Sequence, residues 1–461
     1  MRLYRKDSVF YKNVFKLAIP IALQSLITIG VNMLDTIMVG SLGKSALSAT
    51  SLANSFISIY HIFCMGLGMG ASVLVSRYWG MKKAGAGDEA TRALKQTVSL
   101  MLRITIGLAA VFAIVTLIMP GTLMKMYSDD SEIIRQGAIY FGYSVPTYFF
   151  LGTSLVTTIV LRSVGQVRLP LFVSIGAFFV NLGANYMFIF GEFGAPRLEV
   201  AGAALGTLIA RVFEASIILG YLFLKDKNIG FKIKDLFIKT KSLIREYFRI
   251  CIPVLISDGI LAIGNNTVAM VIGHLGDNFT AANAITSVTQ QLSTVLVQGV
   301  SQAGAIVTGQ TLGQGDKERT MKQGWQFLGL GLALGIISAT FIMIFSGPII
   351  STYDNTGEEV QLIAEQLMLA ISLIIIFQAT NSIMTKGVLR GGGDTKMLML
   401  TDNIFLWVLS IPLGILAGFV FNMSAFWIYV LLKIDQVVKT IWCVFRLKGG
   451  KWIKKISTGT H

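Results

Sequence analysis

The sequence predicts an all-α polytopic membrane protein, with twelve transmembrane helices in two pseudo-symmetric six-helix bundles, a parallel 6+6 repeat around a central cleft. Three observations predict it. The 461-residue chain is 54% hydrophobic and only 14% charged, with mean hydropathy +0.68. Soluble cores cannot hide that much apolar surface, so lipid must be the solvent. Apolar runs of the roughly 20 residues needed to cross about 30 Å of hydrocarbon recur along the chain. Finally, the second half repeats the first at an offset of 233 residues.

Taken in order, the expected spans are 13–40, 50–76, 94–119, 134–158, 166–191, 199–224, 246–273, 282–308, 324–346, 359–386, 397–420 and 423–446. The basic stretch MRLYRKDSVFYKN precedes an apolar run too long for a signal-peptide core, so that run is read as the first span. The even-numbered connectors carry Arg77, Lys82, Lys83 and Arg92, then Arg162 and Arg168, then KDKNIGFKIKDLFIKTKSLIR, then Lys317, Arg319 and Lys322, then Arg390 and Lys396. The odd-numbered ones carry only Lys44, Lys125, Arg135 and Arg197. That bias puts both termini in the cytoplasm of a plasma-membrane protein. It also accounts for the net charge of +15 and the pI near 9.7 without a nucleic-acid partner. Cys64, Cys251 and Cys443 each lie in an apolar run and make neither a disulfide framework nor a zinc site.

The repeat aligns IPIALQSLITIGVNMLDTIMVGSLG (19–43) with IPVLISDGILAIGNNTVAMVIGHLG (252–276). Pro20 matches Pro253, Asn32 matches Asn265, and Gly40 and Gly43 match Gly273 and Gly276. With small changes of offset the match runs on through Tyr127/Tyr353 and Leu161-Arg162/Leu389-Arg390. The chain therefore divides into a lobe at 1–224, a linker at 225–245 and a second lobe at 246–461. Because six is even, the lobes are related by an axis along the membrane normal, the frame for rocking-type alternating access. In the linker, FKIKDLFIKTKSLI spaces apolar residues at helical intervals and is expected as a basic helix on the inner leaflet.

A carboxylate inside a span costs several kcal/mol, which marks Asp35 as a functional residue. It lies roughly 7–8 Å in from the outer end of the first span at 1.5 Å per residue. Asn181 and Asn185, four apart on one face of the fifth span, and Thr207 in the sixth fall in the same outer layer. Together they offer hard oxygens suited to Na⁺, or to a proton held on the carboxylate. In the repeat Asp35 matches Val268, so only the first lobe carries this acid. Gln24, Asp258, Gln290, Gln291, Gln378 and Asn381 are candidates for a substrate-facing cleft. Asp402 is equally readable as a cap at a cytoplasmic helix end. There is no pore-loop signature to suggest a channel, and no G-x-x-x-x-G-K-[ST] loop, so energy is expected from an ion gradient rather than ATP.

The chain resembles a multidrug and toxic compound extrusion (MATE) transporter end to end. LRSVGQVR (161–168) and LRGGGDTK (389–396) resemble that family's paired loop motif, LDTIMVG its first-helix motif, and FRLKGGKW its terminal segment. The resemblance implies a transporter and not an enzyme. Small amphipathic, cationic compounds would be exported by a monomer in exchange for H⁺ or Na⁺, with no other cofactor. It carries the helix-1 acid onto Asp35, the helix-5 polar positions onto Asn181 and Asn185, and the helix-6 hydroxyl onto Thr207. It also makes Pro20, and its repeat mate Pro253, conformational hinges. The chain departs from proton-coupled members that carry a second acid where Asn185 stands. The alternative is a lipid-linked precursor or metabolite flippase of the same superfamily, which would need extra spans and a cationic cavity. Here Arg211 is the one clear arginine deep in a span.

Overall fold

The computed structural model describes residues 2–351 and 357–455, with side chains from residue 8 onward, and among these the secondary structure is helical with no strand. The repeat position Tyr353 lies outside the described residues. In chain order the helices are α1 (Arg2–Gly40), α2 (Lys44–Lys83), α3 (Gly87–Ile118), α4 (Pro120–Lys125), α5 (Ser131–Ser144), α6 (Thr147–Ser163), α7 (Arg168–Phe190) and α8 (Val200–Leu224). The second half has α9 (Lys241–His274), α10 (Asp277–Gly313), α11 (Lys317–Ser351), α12 (Glu358–Ser382), α13 (Thr395–Ile404), α14 (Ile411–Ile415), α15 (Ala425–Leu432) and α16 (Ile434–Lys448). Three π-helical segments, Ile383–Leu389, Phe405–Ser410 and Leu416–Val420, join or extend α12, α13 and α14.

Each of the twelve expected spans has its helical rod. Among the described residues nine are apolar and long enough to cross a membrane alone, and α5 with α6 forms a tenth, bent by 58°. The bend falls at Pro146, which has no N–H to carry a helical hydrogen bond through the break. Of the remaining rods, α10 carries Gln290, Gln291, Gln298 and Gln302, and the last is broken into α15, 8 residues, and α16, 15 residues with Asp435 and Lys439. Helix starts follow local chemistry. Asp130 caps α5 by accepting from Glu132 N (2.8 Å) and Ile133 N (3.2 Å), and Pro120 opens α4 in the first turn, where its missing N–H costs nothing.

The described residues form two compact units, 23–251 and 2–22 with 252–455. Both boundaries fall within a helix, two residues beyond Pro20 in α1 and one before Pro253 in α9. Each of these helices thus begins in one unit and continues in the other. In the first unit α2 is the hub, packing on α3, α5 and α6. Its run Gly66–Ala71 is buried and has a small residue at four of six positions, and a side chain at Gly70 would collide with Cys251 of α9. Small residues let apolar helices approach until dispersion holds them. In the second unit Phe10, Val14 and Ala18 of α1 are buried with Phe327, Val300 and Ile383.

The linker corrects one expectation. Instead of a surface helix, 226–240 is irregular apart from one 3₁₀ turn, Ile233–Phe237. Competing local bonds explain the change: Asp226 accepts from Asn228 N (3.3 Å) and Ile229 N (2.9 Å), and Gly230 takes a left-handed φ of 65°. The backbone is then pinned to the first unit by Lys82 on Asn228 O (2.6 Å), Gln96 on Lys239 O (2.8 Å) and Ser99 on Leu236 O (2.9 Å). Burial works against charge on Asp235, but the Lys232 N–H and the Lys95 ammonium at 2.9 Å hold its carboxyl below the ordinary range.

At the corresponding end of the second unit, the terminal segment folds back. Trp452 is fully buried against Gly392 and Gly324, Lys454 N donates to Gly392 O (2.9 Å), and Arg446 grips Asp394 with two bonds of 2.7 and 3.0 Å. Replacing Trp452 by Ala should cost about 3–5 kcal/mol, the usual result of emptying a buried aromatic site. Thermal unfolding of the purified protein checks this, and an unchanged midpoint would show that the strap is only laid on the surface.

Candidate functional site

Helices α1, α7 and α8 of the first unit bring the expected ion layer together in part. Asn185 and Asn181, one turn apart on α7, are both buried, and Asp35 on α1 is half-buried. Asn185 Nδ2 donates to Asp35 Oδ1 at 2.5 Å and to Asn181 Oδ1 at 3.4 Å. The other amide atom, Asn185 Oδ1, is buried with no hydrogen-bond partner and lies where a side chain on Gly206 of α8 would stand. Gly206 is required here for its lack of Cβ, which lets α8 close over Asn185. Thr207 is the next residue on α8, half-buried, and no hydrogen bond joins it to the other three.

No basic nitrogen lies within ion-pair distance of Asp35 among the described residues. Arg211, the arginine noted in the sequence, is committed elsewhere: its Nη1 sits 2.7 Å from Glu214 Oε2, one turn along α8. Tyr140 on α5 donates to Asn54 Oδ1 on α2 (3.2 Å), and His61 on α2 lies within electrostatic reach of Arg211. These residues went unnoticed in the sequence, where single polar residues in long spans carry no pattern.

For a metal cation the donors in place are the Asp35 carboxylate and Asn181 Oδ1. Asn185 would have to turn its amide over to add a third oxygen. No cluster of three or more His, Cys, Asp or Glu side chains exists among the described residues.

The residues expected to face a cleft are largely engaged within their own units. Gln24, buried on α1, donates to Ser174 Oγ (2.7 Å) and accepts from Arg162 Nη2. Asp258 on α9, expected as an acid open to cationic guests, is instead held by Arg390 through contacts of 2.9 and 3.4 Å. Gln290 donates to Gln378 Oε1 (2.9 Å) and accepts from Tyr429 Oη (3.2 Å). Gln291 is exposed. Asn381 donates to Gln436 Oε1 at 2.8 Å. Asp402 is the eighth residue of α13 and not a cap; it pairs with Lys439 at 3.4 Å. Lys439 and Asp435 were missed, although KIDQVVKT places them four apart in the last span.

The two motif arginines thus act alike. Arg162 and Arg390, repeat mates, each bond a side chain on α1 or α9 about one turn past its proline.

Two segments of the chain, 20–187 and 253–416, match the family model MatE, and they start at the repeat prolines Pro20 and Pro253. Among curated relatives, "Probable multidrug resistance protein NorM" of Neisseria meningitidis serogroup B is 24% identical over 446 residues, 95% of each chain. The Thermotoga maritima protein of the same name is 25% identical over 457 residues, covering 96% of this chain and 93% of the relative. "Multidrug resistance protein MdtK" of Yersinia pestis is 24% identical over 471 residues, 98% of each. Among solved structures, one described as the outward-facing conformation of a multidrug resistance MATE family transporter superposes with TM-score 0.84 at 17% identity, over 95% of this chain and 96% of that one. A MOP superfamily transporter from Pyrococcus furiosus gives TM-score 0.83 at 18% identity, with 95% and 96% coverage.

Replacing Arg390 by Gln leaves Asp258 as an unpaired charge. The expected loss is roughly 3 kcal/mol, the low end for buried pairs because the Asp258 side chain stays 22% exposed. The double variant Asp258→Asn, Arg390→Gln should recover part of that loss in thermal unfolding. Equal losses in single and double variants would mean that the pair is not an electrostatic unit.

Proposed function

The chain belongs to the MatE family of membrane transporters, and on that premise we propose that it exports small amphipathic, cationic compounds in exchange for H⁺ or Na⁺ bound at Asp35. The observation that carries this reading is a half-buried carboxylate with no base beside it, held by one amide donor inside the first unit. Such a group is either neutralised or paired with a mobile cation.

Asn185 is the sensor. An ionised Asp35 only accepts hydrogen bonds, so the Asn185 Nδ2 contact fits that form. Protonation turns one carboxyl oxygen into a donor, and Na⁺ demands oxygens; either event favours an Asn185 amide rotated to present its orphaned Oδ1. That oxygen is packed against Gly206, so rotation alters the contact of α7 with α8 and transmits the charge of Asp35 into helix packing. The ion can drive transport only by the difference in its affinity for the two shapes. The repeats at 1–224 and 246–461 are the rocking halves. Pro20 and Pro253, where a helical N–H is missing, are the hinges at which α1 and α9 would bend during that motion. The charged connectors and both termini face the cytoplasm.

Cargo is expected to meet aromatic, methionine and glutamine surface and no free acid in the second unit, since Asp258 is already paired. The multidrug names of the relatives support a broad specificity.

Dye efflux from whole cells, with Na⁺ and pH gradients imposed separately, names the ion. Asp35→Asn should insert normally and lose gradient-driven efflux by at least about tenfold, the rate equivalent of one pKa unit of lost coupling. Efflux at the unaltered rate would remove Asp35 from the mechanism.

A further inference from the structure

The linker has no part in that scheme, yet it sorts its apolar side chains into two sets. Ile229 and Phe231 are buried in the first unit, with Phe231 beside Phe223 of α8 at a ring separation of 6.0 Å. Ile233 and Phe237, the two ends of the 3₁₀ turn, face outward and are 62% and 84% exposed. Leu224, which ends α8, is 83% exposed. The turn therefore has a place to bury apolar groups and still leaves these uncovered.

Its depth says what covers them. Ser99 of α3 donates to Leu236 O at 2.9 Å, and Gln96 of α3 to Lys239 O at 2.8 Å. The apolar run of α3 starts near residue 94, so Ser99 lies roughly 7–8 Å past its start at 1.5 Å per residue. Phe237 directly follows Leu236, which places it at the level where headgroups meet acyl chains and not in bulk water. An aromatic ring flanked by cations suits that level.

Every exposed charge from residue 225 to 245 is positive, and Lys232, Lys234, Lys239 and Lys241 surround the turn. The acids of this stretch and of the start of α9 are already held. Asp226 is buried and accepts two backbone N–H groups, Asp235 is paired with Lys95, and Glu246 is buried beside Arg249 at 3.5 Å. The exposed Asp88 and Glu89 stand in the first turn of α3, roughly 10–12 Å further out than Gln96. The lysines are thus left to meet anions at the membrane surface.

We propose that the linker is a docking surface for anionic phospholipid: Ile233 and Phe237 enter the boundary of headgroups and acyl chains, and the flanking lysines bind lipid phosphate, anchoring the first unit to that leaflet. A turn already fixed by Ser99, Gln96 and Lys82 needs no folding on contact with lipid, unlike an amphipathic helix that orders at the surface. A soluble acidic partner would match the lysines but would not reach a phenylalanine at this depth. The proposal goes beyond the Asp35 reading and does not rest on it.

Two measurements on the full-length protein test it. Phe237→Cys is labelled with an environment-sensitive fluorophore, the buried Cys64, Cys251 and Cys443 staying unlabelled in the folded chain, and placed in nanodiscs containing phosphatidylglycerol. Its emission should be shifted to the blue and quenched by lipid brominated near the headgroup; water-like, unquenched emission overturns the proposal. In native mass spectrometry of the unlabelled protein, phosphatidylglycerol should bind more tightly than phosphatidylcholine. Lys232→Gln, Lys234→Gln and Lys239→Gln should each weaken phosphatidylglycerol binding by roughly fivefold, the equivalent of about 1 kcal/mol per cation at an anionic surface. Equal binding of the two lipids, or binding that all three variants leave unchanged, is the contrary result. Inorganic phosphate should not displace the lipid; displacement would assign the surface to free anions and overturn the lipid reading. Should the labelled protein not stay monodisperse, the mass-spectrometric arm decides alone. Neither readout involves transport, so the outcome is separate from that of the efflux test.

Discussion

A charge inside hydrocarbon must be paired, bound or neutral, and the internal chemistry of this chain follows from that constraint. Arg211 takes Glu214, Arg390 takes Asp258, and Lys439 sits between Asp402 and Asp435. Asp35 has no ion-pair partner among the described residues: its hydrogen bond comes from the Asn185 amide, and the Arg211 charge acts on it from farther away. A group in that position cannot be explained as a structural ion pair. Such a group is neutral or takes a cation, and the proposed transport reading is built on that choice.

Much of the architecture was legible because bilayer thickness imposes a length on every apolar run. Helix covers each of the twelve expected runs, with ends that differ by up to eleven residues, at Arg2 of α1, and with the last run split into α15 and α16. What the runs could not give were the polar extensions past the hydrocarbon: α2 runs on to Lys83 and α9 begins at Lys241, since helix propensity does not stop where hydropathy does. The linker was misread for a related reason. Helical spacing of Ile and Phe in FKIKDLFIKTKSLI was outweighed by Asp226, Gly230 and three side chains of α2 and α3 that capture its carbonyls.

At the candidate site, residue type and depth were sufficient to select Asp35, Asn181 and Asn185 as one layer, because helix rise converts sequence distance into depth. Partner choice was not legible. Whether Asp258 faces a guest or an arginine depends on the azimuth of α9 against the segment carrying Arg390, and periodicity over one helix does not report that angle. The repeat did hold a usable clue, since Arg162 and Arg390 occupy matched motif positions and do matched work on Gln24 and Asp258. The neutral partner in one unit and the ionic one in the other repeat the asymmetry of Asp35 and Val268. The acid of α1 has no counterpart at Val268, and the acid of α9 is paired with Arg390.

The central claim is that the charge on Asp35 selects the shape of the molecule. Distances between spin labels at two exposed positions, Ser41 in the turn after α1 and Asn278 in the first turn of α10, measure that directly in a background lacking the three buried cysteines. The account predicts that the distance distribution shifts between ion-free alkaline conditions and saturating H⁺ or Na⁺, and that Asp35→Asn gives the ion-bound distribution under both. A shift of unchanged size in Asp35→Asn would contradict it.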